Sequence, residues 1–221
     1  MPLQEIGYAE RCFRDVQPCG DGMISQTLNS QVRLILADGM GHGSAAHCAV
    51  NLLREKFSWI SERSQPALDI AHCIREMHEW LKGHGDNYQA AVAMVEIDND
   101  LGILSALSIG NIMIKIVSGR GVCTLPCTNG MVGGEFPART RLTVESLPRR
   151  GLLVIHSDGI SSRALSPFLE HLRMNDRFRP GEAQSIASKI ITQFAKSSDD
   201  ASCIVVSLTQ KEDPSQCRRL S

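Results

Sequence analysis

The sequence predicts an α+β fold in which antiparallel sheets carry helices on their outer faces. Strand-like and helical runs are segregated, in the order strand, strand, two helices, a long series of strands, two helices, strand. Regular strand and helix alternation, the mark of a parallel sheet, is absent. At 221 residues and 43% hydrophobic composition, the chain can bury a substantial core within one domain.

From the start, residues 5–13 mix apolar and polar side chains in a strand-compatible way and run into the turn-forming Pro18-Cys19-Gly20-Asp21-Gly22. A second strand is clearer: Val32, Leu34 and Leu36 alternate around Arg33 and Ile35 before the chain breaks at Asp38-Gly39. Gly39, Gly41 and Gly43 then form a bend where backbone groups approach a ligand closely. Ser44 stands as N-cap to a helix over 45–60, and a second helix follows Pro66 through Leu68, Ile70, Ala71, Ile74, Met77 and Leu81.

The apolar period then shortens from helical to strand-like. Residues 89–97, 102–108 and 112–117 read as consecutive strands, with Asp98-Asn99-Asp100 as a hairpin turn. Residues 119–137 are rich in Gly and Pro, and sheet structure resumes at 142–144 and 151–155. Helices are expected over 165–174 and 182–194, a final strand over 203–208, and a polar tail over 211–221.

With 23 basic against 24 acidic residues, the chain has no overall positive field to attract a nucleic-acid backbone. It has no run of 18 apolar residues, so no membrane span is expected. The eight cysteines are scattered and the polar start does not read as a signal peptide, which favours reduced, mostly buried thiols in a cytoplasmic protein. Cys123 and Cys127 lack the second matching pair of a structural zinc site.

Four aspartates stand out. Asp21, Asp38, Asp158 and Asp199 occur in CGDG, LILADGMGHG, LLVIHSDGI and SSDDASCIVV. Each of the last three lies beside a strand-like run, where rigid backbone can hold a carboxylate and the adjacent turn leaves it exposed. Magnesium and manganese favour carboxylate, carbonyl and water ligands, and clustered carboxylates repel one another unless a cation compensates them. The runs do not themselves show that the turns meet. If they do, the result is an oxygen-rich cage suited to metal-assisted hydrolysis, with a phosphate ester as the natural substrate class.

Gly20-Asp21, Ala37-Asp38-Gly39-Met40-Gly41-His42-Gly43, Ile109-Gly110-Asn111, Ser157-Asp158-Gly159 and Asp199-Asp200 follow one another across almost the whole chain. In these motifs and their order, the sequence resembles the PPM/PP2C superfamily of metal-dependent serine/threonine phosphatases, and within it the bacterial SpoIIE/RsbX-like branch. The resemblance implies an αββα sandwich of two mainly antiparallel sheets, with a phosphatase domain over 1–210. It also implies two Mn²⁺ or Mg²⁺ ions, bridged by Asp38. Asp158 and Asp199 would complete one site, and Asp21 with the Gly39 carbonyl the other.

By the same resemblance, Asp38 and Asp158 are the catalytic carboxylates, and Asp199 rather than Asp200 is the ligand. The implied substrate is phosphoserine or phosphothreonine on a bacterial regulator, a STAS-domain protein of a stressosome or anti-sigma-factor pathway. A binding-only pseudophosphatase and a hydrolase of small phosphomonoesters are the alternatives. The sequence departs from larger relatives at Met40, where they carry a histidine, and His42 does not take that role by proximity. Neither Arg11 nor Arg14 matches the superfamily's phosphate-binding arginine securely, Arg33 reads as a strand residue at the surface, and His156 as a satisfied strand-end histidine.

Overall fold

The computed structural model describes residues 4–15, 18–41, 43–63, 68–174 and 181–209. His42 and the expected polar tail over 211–221 lie outside the described residues. Among the described residues ten strands are present: β1 (Glu5–Arg11), β2 (Asp21–Leu28), β3 (Gln31–Gly39), β4 (Ala90–Asp98), β5 (Ile103–Ile109), β6 (Met113–Ser118), β7 (Gly121–Thr124), β8 (Thr143–Ser146), β9 (Arg150–His156) and β10 (Ala201–Thr209). The four helices are α1 (Ser44–Arg63), α2 (Ile70–His84), α3 (Ser162–Met174) and α4 (Ala183–Phe194).

The strands form two five-stranded sheets in the orders β1-β10-β9-β6-β7 and β2-β3-β4-β5-β8, with antiparallel pairing between all neighbours. Strand periodicity sorts their side chains into three cores. Leu34 and Leu36 of β3, Ile114 and Ile116 of β6, Leu153 and Ile155 of β9 and Ile204 and Val206 of β10 meet between the sheets. The alternate residues Ile35 and Ala37 pack under α1 and α2 with Leu53, Phe57, Ile74 and Met77. On the other side, Leu152, Val154, Cys203 and Val205 pack under α3 and α4 with Leu165, Leu169, Ile186 and Ile190. The molecule is therefore an αββα sandwich. Central strands buried on both faces explain why β9 and β10 read as unbroken apolar runs.

β2 was not expected from the sequence, where Asp21 falls in a turn and the second strand begins at Val32. The chain instead forms a hairpin through Asn29-Ser30, with Asn29 at φ 51° and Leu28 opposite Gln31. Asparagine tolerates this left-handed conformation. The strand is inconspicuous because it lies at a sheet edge, with Ser25 and Thr27 exposed. α2 also starts later than Pro66 suggested, at Asp69, whose side chain caps the helix by accepting from the His72 N–H at 3.0 Å.

Arg33 is a second correction. It is not a surface charge but 1% exposed, on the helix-facing side of β3, where its Nε donates to Glu96 Oε2 at 2.7 Å. Glu96 lies directly opposite on β4. Removing one partner of a buried pair strands the other charge, at a cost of about 3–5 kcal/mol, whereas an apolar replacement of both is often neutral. Glu96→Ala is expected to lower the urea unfolding free energy by about 3 kcal/mol, and Arg33→Met with Glu96→Leu to restore most of the loss.

Candidate metal centre

Antiparallel pairing places Asp21, the first residue of β2, opposite Asp38 near the end of β3. Both share strand parity with Leu36 and Met23, so their side chains point into the space between the sheets. The second sheet meets them there. Ser202 of β10 donates its hydroxyl to Asp21 Oδ2 at 2.6 Å, and its backbone N–H donates to Ser157 Oγ at 3.0 Å. The turn after β9 and the start of β10 are thereby latched to Asp21.

Asp158 sits in that turn, and Asp199 in the turn entering β10. The two turns stack so closely that a Cβ on Gly159 would lie 1.8 Å from the Asp200 carbonyl oxygen. Gly39 is under similar pressure from α1, since a Cβ there would stand 2.4 Å from the Ala46 carbonyl oxygen. Both glycines are required by close approach of backbone.

The carboxylates feel one another. Burial pushes Asp38 up to about 9, and the charges of Asp21, Asp158 and Asp199 add to the rise. Burial likewise pushes Asp21 up to about 6, opposed first by the hydrogen bond from Ser202. Asp199 is raised by burial and then by the Asp158 and Asp200 charges. Asp21 is 4% exposed, yet its Oδ1 has no hydrogen-bond partner. An unsatisfied buried carboxylate oxygen among three further carboxylates is the environment that a hard divalent cation relieves. The donor set fits magnesium or manganese.

Asp199 and Asp200 divide their work. Asp200 is buried, its Oδ1 accepting from Phe13 N–H at 2.6 Å and its Oδ2 from Gly20 N–H at 2.9 Å. Asp199 is half-buried and within electrostatic reach of Asp38 and Asp158. The carbonyl of Gly39 closes β3 immediately beside Asp38.

Comparison with known proteins then decides the family. The model of the stage II sporulation protein E (SpoIIE) family matches residues 29–209. The chain belongs to the SpoIIE family. No curated protein matches it. Among solved structures, one from work on the bacterial stressosome, as a modular system adapted to control secondary messenger signaling, is 27% identical. It is matched over 92% of this chain and 98% of its own, with a TM-score of 0.78. RsbX in complex with magnesium is 16% identical, over 93% of this chain and 96% of its own, with a TM-score of 0.76. The PP2C phosphatase domain of SpoIIE from Bacillus subtilis, with a fragment of its regulatory domain, is 20% identical over 92% of this chain and 62% of its own, with a TM-score of 0.73. The last two likenesses establish a shared PP2C-type fold.

The sequence reading placed Asn111 in the Ile109-Gly110-Asn111 motif without its contact to Asp158, and it did not single out Lys196. Asn111 donates its Nδ2 to Asp158 Oδ2 at 2.6 Å, joining the end of β5 to the turn after β9. Gly110 makes this turn possible at φ 96°, with its absent Cβ 2.5 Å from Ala91 Cβ. Lys196 directs its Nζ to the Asp158 carbonyl oxygen at 2.5 Å, while its backbone N–H donates to the Gly159 carbonyl at 2.8 Å. The Arg11 guanidinium holds the Lys196 carbonyl. Asn111 follows a strand and Lys196 a helix, so only the folded chain brings them to Asp158.

The other charged candidates play local parts. Arg14 lies over the Phe13 ring at 4.9 Å. His156 is buried, donates from Nδ1 to the Ser157 carbonyl oxygen at 2.9 Å, and is pushed down to about 4 by burial. Met40 is exposed to solvent.

A carboxyl whose folded pKa exceeds its unfolded value binds its proton more tightly when folded. The resulting stability is full at low pH and lost as pH climbs through the folded pKa. For Asp38 that window runs from about 4 in the unfolded chain to about 9 in the fold. The metal-free protein is therefore expected to melt at progressively lower temperature as pH is raised across this range. Asp38→Asn should flatten that decline, and Mg²⁺ or Mn²⁺ should abolish it, as followed by circular dichroism.

Proposed function

We propose that this chain is a Mg²⁺/Mn²⁺-dependent protein serine/threonine phosphatase acting on a phosphorylated bacterial regulator. The observation that carries this reading is the convergence of Asp21, Asp38, Asp158 and Asp199 at one end of the sandwich in a SpoIIE-family chain. The phosphatase domain is taken to span 1–210, with a polar tail beyond it. A cytoplasmic setting accompanies the proposal. All seven described cysteines are free, and among the described residues no helix is long and apolar enough to cross a membrane.

In this proposal Asp38 would serve both of two ions, Asp158 and Asp199 would complete one site, and Asp21 and the Gly39 carbonyl would help to form the other. Such ions supply an activated water and offset the charge on phosphoryl oxygens. The chain provides the orientation. Ser202 fixes Asp21, Asn111 fixes Asp158, and Asp200 fixes the connector leading into Gly20. Lys196 is a cation held beside Asp158 and available to meet the phosphoryl group as it enters. No cysteine nucleophile is required, and the phosphoester oxygen leaves as the serine or threonine hydroxyl.

A phosphorylated STAS-domain protein is the proposed substrate. It is supported by the stressosome context of the 27% identical structure, matched over nearly the full length of both chains. Hydrolysis of a phosphoserine within a protein also requires recognition of its surroundings. The loop around Gly130 to Pro137, bridged to β4 through Ala90 and Val132, borders this end of the sheet.

Phosphate release should be measured with a phosphorylated and an unphosphorylated STAS protein, with and without Mn²⁺. Metal-dependent release from the phosphorylated form alone is expected. Binding without release would identify a pseudophosphatase, and equal turnover of free phosphoserine a small-phosphomonoester hydrolase. Asp38→Asn is expected to lower kcat by at least about a hundredfold, on the scale of losing one preorganised charge-stabilising group. Asn111→Ala, which frees a ligand from its orienting partner, should cost about 10–100-fold in metal affinity or activity. Lys196→Ala should raise KM for the phosphoprotein more than it lowers kcat.

A further inference from the structure

A second cluster of ligand-type atoms lies outside the carboxylate centre. Cys12 follows β1, Cys19 precedes Gly20, and Asp200 precedes β10. All three residues are buried, and their ligand atoms lie within 4.8 Å of one another. Cys19 Sγ stands 3.6 Å from Asp200 Oδ1. Around a tetrahedral zinc, with metal–sulfur bonds of about 2.3 Å and metal–oxygen bonds of about 2.0 Å, the ligand atoms would be roughly 3.5–3.8 Å apart. Little movement separates the observed cluster from that spacing.

We propose that Cys12, Cys19 and Asp200 form a second, thiol-dependent site for a borderline or soft divalent cation such as Zn²⁺. Three observations support it. Asp200 is 4% exposed, and among the described residues no ion pair involves it, although buried charges are ordinarily paired or bound to metal. Its two backbone hydrogen bonds, from Phe13 and Gly20, leave carboxylate lone pairs free. They are the kind of outer contacts that orient a ligating carboxylate. Finally, the thiol of Cys19 now points at Asp200 Oδ1. Binding replaces that S–H proton with the cation, so one M²⁺ enters and the two thiol protons leave as H⁺ without any redox change.

The two centres would differ in chemistry while sharing backbone. The carboxylate centre offers only oxygen and suits hard ions, whereas two sulfurs select zinc, cobalt or cadmium. The connection runs through Cys19-Gly20-Asp21 on one side and Asp199-Asp200 on the other. A cation at the thiol site ties β1, the connector and β10 together next to Asp21.

The test uses full-length protein with Cys48, Cys123, Cys127 and Cys217 changed to Ser, kept reduced and saturated with Mg²⁺. The remaining thiols are Cys12, Cys19, Cys73 and Cys203, and the last two lie in different cores under opposite helical layers. Cys73 and Cys203 therefore cannot together supply two sulfurs to one ion, and Cys12 and Cys19 are the two thiols that gather with Asp200. Titration with Co²⁺ should give one equivalent carrying a sulfur-to-cobalt charge-transfer band of two-thiolate intensity, displaced by Zn²⁺. No band, or a band of one-thiolate intensity, overturns the proposal. Adding Cys12→Ser should abolish two-thiolate binding while the circular dichroism spectrum is retained. Persistence of the full band in that folded variant overturns it as well. Neither measurement depends on phosphatase turnover, so failure here leaves the proposed activity standing.

Discussion

Mutual repulsion among four carboxylates at one end of the sandwich is the constraint around which the rest of the structure is arranged. Asp21 and Asp38 face each other across the β2–β3 pair, and both are pushed upward by burial and neighbouring charge. In water such groups would separate. Here they are held by elements whose stability comes from elsewhere: three apolar cores that fix two sheets and four helices. The site is thus a local electrostatic cost carried by a well-packed scaffold, and a bound cation is the natural means of offsetting it.

The latch between the sheets makes that arrangement specific. Asp21 belongs to one sheet, yet its hydrogen-bond partner Ser202 belongs to the other. Asn111 reaches Asp158 across the same gap from the opposite direction. Asp200 draws Phe13 and Gly20 toward β10 and so sets where β2 begins. Each contact is a single hydrogen bond. Together they place carboxylates from four separate chain segments around one volume, with precision that loops alone would not supply.

Much of the fold was legible because paired burial leaves strong traces. β3, β4, β9 and β10 lie inside the sandwich, and their apolar runs announced them. β2 was hidden by its position at a sheet edge, where exposed Ser25 and Thr27 break the alternation. The Asn29-Ser30 turn was the signal that could have revealed it. Arg33 misled for the opposite reason: a charge inside a strand reads as solvated, and its partner Glu96 lies 63 positions away in sequence. The aspartates were visible through their Asp-Gly and Asp-Asp contexts. Asn111 was visible only as part of the Gly110-Asn111 turn and Lys196 not at all, because their contacts with Asp158 span 47 and 38 positions.

The central proposal is that these carboxylates hold two neighbouring cations, and electron paramagnetic resonance of the Mn²⁺-loaded protein tests it most directly. A titration should reach two Mn²⁺ per chain, with the spectrum of an exchange-coupled pair bridged through Asp38. In folded Asp38→Asn protein the coupled signal should disappear. A wild-type spectrum showing only isolated Mn²⁺ at saturation, or coupling that survives Asp38→Asn unchanged, would contradict the account.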